Sequence, residues 1–422
     1  MHHAVLIDHE FAVAQDGYIV RALVRLTGHA PAQQNRVPIN ISIVLDRSGS
    51  MAGEKLEAAR DAAAFLIQRL APEDVVSVVA YDDGIDTIAM PATGTQQGYV
   101  TPLLGRIGPG GSTNLSGGWL RGRELVASHK RTGAVNRVLL LTDGLANVGI
   151  TDPALLCGLA GGAKREGITT STIGFGADYD EALLRGMADA GGGNTWYIER
   201  PDQAPGVFEE EIEGLLSLAA QNVAVEIRPS PLVKLVGVHN DYPHADLPGN
   251  ARRFELGDLY AREPKSMLME FFVPAIEAGV PTDIAKVRVH AHVLTDAGAI
   301  ERQEIVFSVA TPLDRAGHAE PEVRREVLVL AAARAREEAV RRERMGDRDG
   351  AGRVLREVSR MISVAPPEIA TGLADQVAEL AASAEAVMSS GFSEADRKYE
   401  AQRSYNARRG KQAYDDKLRR PR

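Results

Sequence analysis

A single cysteine, Cys157, stands in a chain of 422 residues. No intrachain disulfide can form, which disfavours a disulfide-stapled secreted module and fits a reducing cytosol. The thiol sits among Leu155, Leu156 and Leu159 with no basic neighbour, so a buried, inert side chain is expected. Long apolar runs are missing too. No stretch of about 18 apolar residues occurs, and no membrane span is expected. The opening residues, Met1-His2-His3-Ala4-Val5-Leu6-Ile7-Asp8, lack the basic segment before an apolar one that marks a signal peptide. A cytoplasmic location is the expectation. Net positive charge is absent: acidic residues outnumber basic ones, and the net charge of −9 argues against a general nucleic-acid binder. No internal repeat is evident.

What is present divides by pattern. From Ile39 to about residue 219, strand-like and helix-like runs alternate. The strands are Ile39–Leu45, Val75–Tyr81, Thr87–Met90, Arg137–Thr142, Thr169–Phe175 and Thr195–Ile198. Helical periods fall near 54–70, 97–106, 115–129, 153–165, 180–190 and 201–219. Several strands are apolar without alternation, which predicts a sheet covered on both faces. The fold class is therefore α/β, with a doubly wound, mostly parallel sheet over 39–219. Residues 220–312 change character: short alternating runs broken by prolines read as a β-sandwich. Residues 1–38 are β-rich but too few for a stable sheet, and are expected to pair with that β domain. The α/β domain would then be inserted in, or lie beside, the sandwich. Residues 320–390 read as a helical bundle of three helices, Val323–Met345, Gly350–Ile362 and Pro367–Met388. Residues 391–422 read as a basic tail. From Ser393 onward it holds ten Lys/Arg against five Asp/Glu, as an amphipathic terminal helix or a frayed end would.

The chemistry concentrates at Asp46-Arg47-Ser48-Gly49-Ser50, where an apolar strand ends and a helix begins. A carboxylate and two hydroxyls at i, i+2 and i+4 are hard oxygen ligands of the kind that suit Mg²⁺, Mn²⁺ or Ca²⁺. Carboxyl ends of strands are where open α/β sheets bind ligands. Gly110-Gly111-Ser112-Thr113-Asn114 adds the Thr113 hydroxyl before another helix, and Thr142-Asp143-Gly144 adds a second carboxylate at a second strand end. Neighbouring parallel strands can gather Asp46, Ser48, Ser50, Thr113 and Asp143 around one point. Without a Gly-Lys-Ser/Thr ending, the glycine-rich turn does not read as a phosphate loop.

In order, spacing and strand–helix context, these five residues resemble the metal-ion-dependent adhesion site of von Willebrand factor type A domains, over about residues 39–219. The resemblance implies that Ser48 and Ser50 hold Mg²⁺ directly, and that Thr113, Asp46 and Asp143 do so directly or through water. It also implies a protein-binding, non-catalytic role, with Mg²⁺ bridging to a carboxylate supplied by an unidentified partner protein. A Mg²⁺-dependent hydrolase or phosphotransferase is the alternative, but no nucleophile or general base stands beside the five residues in sequence. A scaffold stiffened by its metal is the third reading. If ligation is transmitted, the helix near Pro201–Ala219 is expected to move, since it leads into the β domain. Asp82, Asp83 and Asp86 are expected in a solvated loop, and Trp119 and Trp196 in the core. His290 and His292 are expected on one strand face without a metal. The sequence does not fix the oligomeric state.

Overall fold

The computed structural model describes residues 1–29, 37–131, 133–176, 178–261, 263–274, 280–295 and 300–410. The strands are β1 (His2–Ala12), β2 (Gly17–Thr27), β3 (Ile39–Asp46), β4 (Val75–Tyr81), β5 (Ile85–Thr93), β6 (Val135–Thr142), β7 (Thr169–Phe175), β8 (Gly192–Ile198), β9 (Leu218–Pro229), β10 (Lys234–Val238), β11 (His244–Leu247), β12 (Ala251–Tyr260), β13 (Lys265–Pro274), β14 (Pro281–Leu294) and β15 (Ile300–Pro312). The helices are α1 (Glu54–Gln68), α2 (Gln97–Leu104), α3 (Leu115–Ser128), α4 (Pro153–Arg165), α5 (Glu181–Gly191), α6 (Ala204–Leu216), α7 (Pro321–Arg344), α8 (Arg348–Ser363), α9 (Pro367–Ala370), α10 (Ala374–Ser389) and α11 (Glu394–Arg408). They form two compact units. One, the α/β unit, comprises Ala30–Leu218 with Leu294–Glu301; the other comprises Met1–His29, Ala219–Val293 and Arg302–Arg422.

The α/β unit is built on a six-stranded sheet in the order β5-β4-β3-β6-β7-β8. All neighbours are parallel except β4 and β5, an antiparallel pair at one edge. Every residue of β3, β4, β6 and β7 is buried, as a sheet covered on both faces requires. Helix α3 buries Leu115, Trp119, Leu125 and Val126 against Val44, Val79, Val138 and Leu140 of the sheet. Helix α1 buries Leu56, Ala59, Ala63, Leu66 and Ile67, one apolar stripe at helical spacing.

The second unit has two sheets, β1-β2-β13-β10 and β11-β12-β9-β14-β15. Both contribute to one apolar core: Val20, Val24, Met269 and Phe271 from the first, and Val225, Ile227, Phe254 and Val289 from the second. Helices α7 to α11 complete this unit around Ala339, Leu355, Leu380, Ala384 and Val387. Leu23 and Leu268 of the first sheet pack with Val323 and Leu330 of α7.

Two element readings change and a third is narrowed. The helical run expected over 367–388 is two helices, α9 and α10, parted near Gly372. The helical run of 201–219 shortens to α6, because Leu218 already belongs to β9. In the basic tail, 391–422, the first of the two expectations holds over Glu394–Arg408, which is helix α11, with Lys398, Glu400, Gln402, Arg403 and Tyr405 buried. Its charges are neutralised by other helices: Arg403 pairs with Glu379 at 2.9 Å, Arg397 with Glu343 at 2.8 Å, and Arg336 of α7 reaches Glu400. Residues 411–422 lie outside the described residues.

Candidate metal centre

The order of the α/β sheet reverses between β3 and β6. From β3 the chain passes through α1 to β4 on one side, while β6 continues to β7 on the other. The carboxyl ends of β3 and β6 therefore flank the crevice where such sheets accept ligands. Asp46 is the last residue of β3, and Asp143 directly follows β6. Both carboxylates are fully buried, and Ser48 and Thr113 are buried with them.

The turn after β3 organises itself around Asp46. Its Oδ1 accepts the Ser48 amide at 2.8 Å, and its Oδ2 accepts the Thr142 hydroxyl at 2.5 Å. The Ser48 and Ser50 hydroxyls lie 3.2 Å apart. Ser50 donates to Asp143 Oδ1 at 2.6 Å, and the Lys55 ammonium lies 2.5 Å from Asp143 Oδ2. The glycine-rich turn is stitched onto this loop by its backbone: Gly49 N–H donates to Gly111 O at 2.9 Å and Gly110 N–H to Arg47 O at 2.7 Å. Thr113 is held to the loop after β6, its amide on Asn147 Oδ1 at 2.8 Å and its carbonyl accepting the Asn147 and Val148 amides. One residue on, Asn114 caps α3 by accepting the Gly117 amide at 3.0 Å. Gly144 shows how closely the groups converge. A Cβ there would lie 3.3 Å from Thr113 Oγ1 and 3.6 Å from Ser50 Oγ.

All five expected residues are thus brought to one place. Burial raises the Asp46 carboxyl above its ordinary value, hydrogen bonds from Thr142 and Ser48 pull it back, and the Asp143 charge pushes it up again. The net shift is upward, as two carboxylates packed out of water require. Burial, reinforced by the Asp46 charge, likewise pushes the Tyr81 phenol well above its usual range. Two buried carboxylates and three hydroxyls are a hard, oxygen-only donor set that fits a small divalent cation.

The surroundings differ from the sequence reading in part. Asp82, expected in a solvated loop, is buried: it accepts the Gly84 amide at 2.8 Å and pairs with Arg47 at 3.3 Å, while Asp83 and Asp86 are exposed. Burial raises the Asp82 carboxyl, but its bonds from Arg47 and Gly84 outweigh this and leave it below its usual range. Cys157 is half-buried, and burial raises its thiol. Trp119 and Trp196 are core residues. A register shift separates His290 from His292, and among the described residues no group of three His, Cys, Asp or Glu side chains is placed to hold a metal. Lys55 and Asn147 are site neighbours that the motif does not reveal. Thr142 stands in the stretch Thr142-Asp143-Gly144, but its bond to Asp46 is not legible in the sequence.

Residues 40–210 match the von Willebrand factor type A domain family. Protein YfbK of Escherichia coli is 31% identical over 195 residues, covering 46% of this chain and 34% of its own length. The chain thus spans about a third of that relative. Protein sll0103 of Synechocystis is 25% identical over 353 residues, covering 80% of this chain and 81% of its own. Among solved structures, a von Willebrand factor type A protein from Catenulispora acidiphila aligns with a TM-score of 0.69 at 22% identity, over 90% of this chain and 88% of the other. The ArnB paralog VWA2 from Sulfolobus acidocaldarius aligns at 0.57 and 17% identity, over 97% and 98%. At these identities the structures establish a shared fold. Among the described residues, no helix is long and apolar enough to cross a membrane.

Proposed function

We propose, from the premise that residues 40–210 of this chain belong to the von Willebrand factor type A domain family, that its switch-point cluster takes Mg²⁺ and binds an acidic group of a partner protein. Asp46, Ser48, Ser50, Thr113 and Asp143 would hold the cation, with Mn²⁺ or Ca²⁺ as possible replacements. When bound, the metal supplies a Lewis-acidic position to which a partner carboxylate can coordinate. The observation that carries this reading is the convergence of two fully buried carboxylates with three hydroxyls at the strand ends where the sheet order reverses. Domains of this family bind other proteins, often through a metal, which supports a binding role over a catalytic one. The charged neighbours support it as well. Arg47 is a permanent cation, and the Lys55 ammonium is held by Asp143, so neither offers a general base.

The test is calorimetric and then biochemical. Wild type should bind Mg²⁺ by isothermal titration, and Asp143→Ala should not. Capture of a partner from lysate should require Mg²⁺, fail in EDTA and fail with Asp143→Ala. Capture that ignores both chelation and the substitution sinks the metal-bridge reading.

A further inference from the structure

We infer that Lys55 is a built-in counter-ion that Mg²⁺ must displace, so that this side chain sets how much metal the site needs. The inference rests on the preceding reading that the cluster takes Mg²⁺. Lys55 lies in the first turn of α1, and its ammonium is 2.5 Å from Asp143 Oδ2. Asp143 is fully buried, whereas the lysine side chain is 29% exposed and has a path to water. The ammonium also reaches the loop beyond β7: a Cβ on Gly176 would lie 3.4 Å from Nζ and 3.5 Å from Cε. Gly176 has φ of 66°, a conformation that glycine tolerates, and its missing side chain leaves room for the lysine.

The physical need is plain. Asp46 and Asp143 are both fully buried at the ends of neighbouring strands, and like charges held together out of water repel each other. The other nearby cation, Arg47, is turned to Asp82 and Asp86, with Nη2 2.7 Å from Asp86 Oδ2. Among the described residues, Lys55 is the cation paired with Asp143. A divalent ion placed among the same oxygens would repel the ammonium at short range in a poorly hydrated site. A lysine can answer by swinging out, because it is a compact, strongly hydrated charge on a flexible stem. Any free energy with which Lys55 stabilises the metal-free site is subtracted from metal affinity, since a ligand gains only the difference between the two states. Lys55 thus acts as a threshold: Asp143 stays paired with the ammonium until Mg²⁺ is abundant enough to replace it.

The experiment is Mg²⁺ titration calorimetry of wild type, Lys55→Met and Lys55→Arg, with thermal unfolding of each protein with and without Mg²⁺. Lys55→Met should bind Mg²⁺ about tenfold more tightly. Lys55→Arg, which keeps the charge, should stay near wild type. Without metal, Lys55→Met should melt below wild type, and saturating Mg²⁺ should close that gap. Equal or weaker Mg²⁺ binding by Lys55→Met overturns the role of Lys55 alone. Absence of Mg²⁺ binding in both wild type and Lys55→Met overturns the metal reading itself. Should Lys55→Met fail to fold, ¹⁵N resonances of lysine ammonium groups in the wild type decide the matter. The Lys55 signal should move and gain fast solvent exchange as Mg²⁺ saturates; a signal unchanged at saturation overturns the inference.

Discussion

At the scale of single residues, backbone bonds that hold the turn can be told apart from the hydroxyls proposed as ligands. Asp46 Oδ1 is satisfied by the backbone amide of Ser48, so Ser48→Ala keeps that bond and loses only a hydroxyl. We expect it to weaken Mg²⁺ binding by about tenfold or more while changing unfolding stability by less than about 1 kcal/mol, checked by calorimetry beside urea denaturation. Gly144→Ala tests the convergence differently. A methyl group 3.3 Å from Thr113 Oγ1 forces that hydroxyl aside by a few tenths of an ångström, and metal sites tolerate only about 0.2 Å in ligand placement. Mg²⁺ affinity should fall, and a wild-type titration curve would refute the idea that Thr113 and Ser50 share one ligand position. The five residues were legible in the sequence because each lies just after an apolar strand or just before a helical run, and those junctions are local signals. Lys55 and the burial of Asp82 were not legible. Their state depends on Asp143 and Arg47, carried to them by other strands, and no spacing within one segment encodes that meeting.

At the scale of elements, helix α6 is fixed to the sheet by one buried acid. Glu211 accepts from Arg137 at 3.0 Å, Ser171 at 2.6 Å, Asn194 at 2.9 Å and Trp196 at 2.8 Å, and both ends of the ion pair are wholly buried. Burial alone would raise the Glu211 carboxyl, but the Arg137 charge and the three neutral donors outweigh it and hold the group below its usual range. Removing one partner of such a pair leaves an uncompensated charge, so Glu211→Ala should cost about 3–5 kcal/mol in urea unfolding of the α/β unit. The same network bears on the expected motion of this helix. A one-turn slide of about 5.4 Å would strip Glu211 from all four donors at once. We therefore expect α6 amides around Glu211 to keep their hydrogen-exchange protection when Mg²⁺ is added, and a large loss of protection would show that the network breaks on ligation. Elements read from the sequence fared according to what defines them. The fully apolar strands β3, β4, β6 and β7 were plain because burial on both faces writes itself into consecutive residues. For the basic tail an amphipathic helix or a frayed end was expected; the burial of α11 was not legible because a charge count cannot see Glu343 and Glu379, which come from other helices.

At the scale of the whole chain, the unit built from Met1–His29, Ala219–Val293 and Arg302–Arg422 must hold three distant stretches of sequence together, and it does so partly through titratable groups. Arg21 of β2 meets Glu270 of β13 at 2.9 Å, Glu10 of β1 at 2.9 Å and buried Asp8 at 3.6 Å, and Asp8 also takes Arg324 of α7 at 2.7 Å. His239, 3.6 Å away, and then Arg21 draw the Glu270 carboxyl from 4.5 down to about 2, against the opposing effect of burial. A carboxyl depressed in the folded state contributes stability above its unfolded value, and that contribution is lost as pH falls from about 4.5 towards 2. His9 works in a second window. Burial, then the neighbouring His318, lowers its imidazole below the ordinary 6.5, although the Asp8 and Asp314 charges oppose this. The neutral ring accepts the Asp314 amide on Nε2 at 3.2 Å, beside the backbone bridge that ties His318 to β1. Below 6.5 the unfolded chain takes up a proton that folded His9 refuses, so stability drains as pH falls from that value. Melting temperature measured against pH should therefore fall in two steps. Glu270→Gln should flatten the lower step and leave the upper one, whereas His9→Gln, neutral and still able to accept the Asp314 amide, should flatten the upper step alone. If both variants follow the wild-type curve throughout, these two groups do not govern the acid stability of this unit.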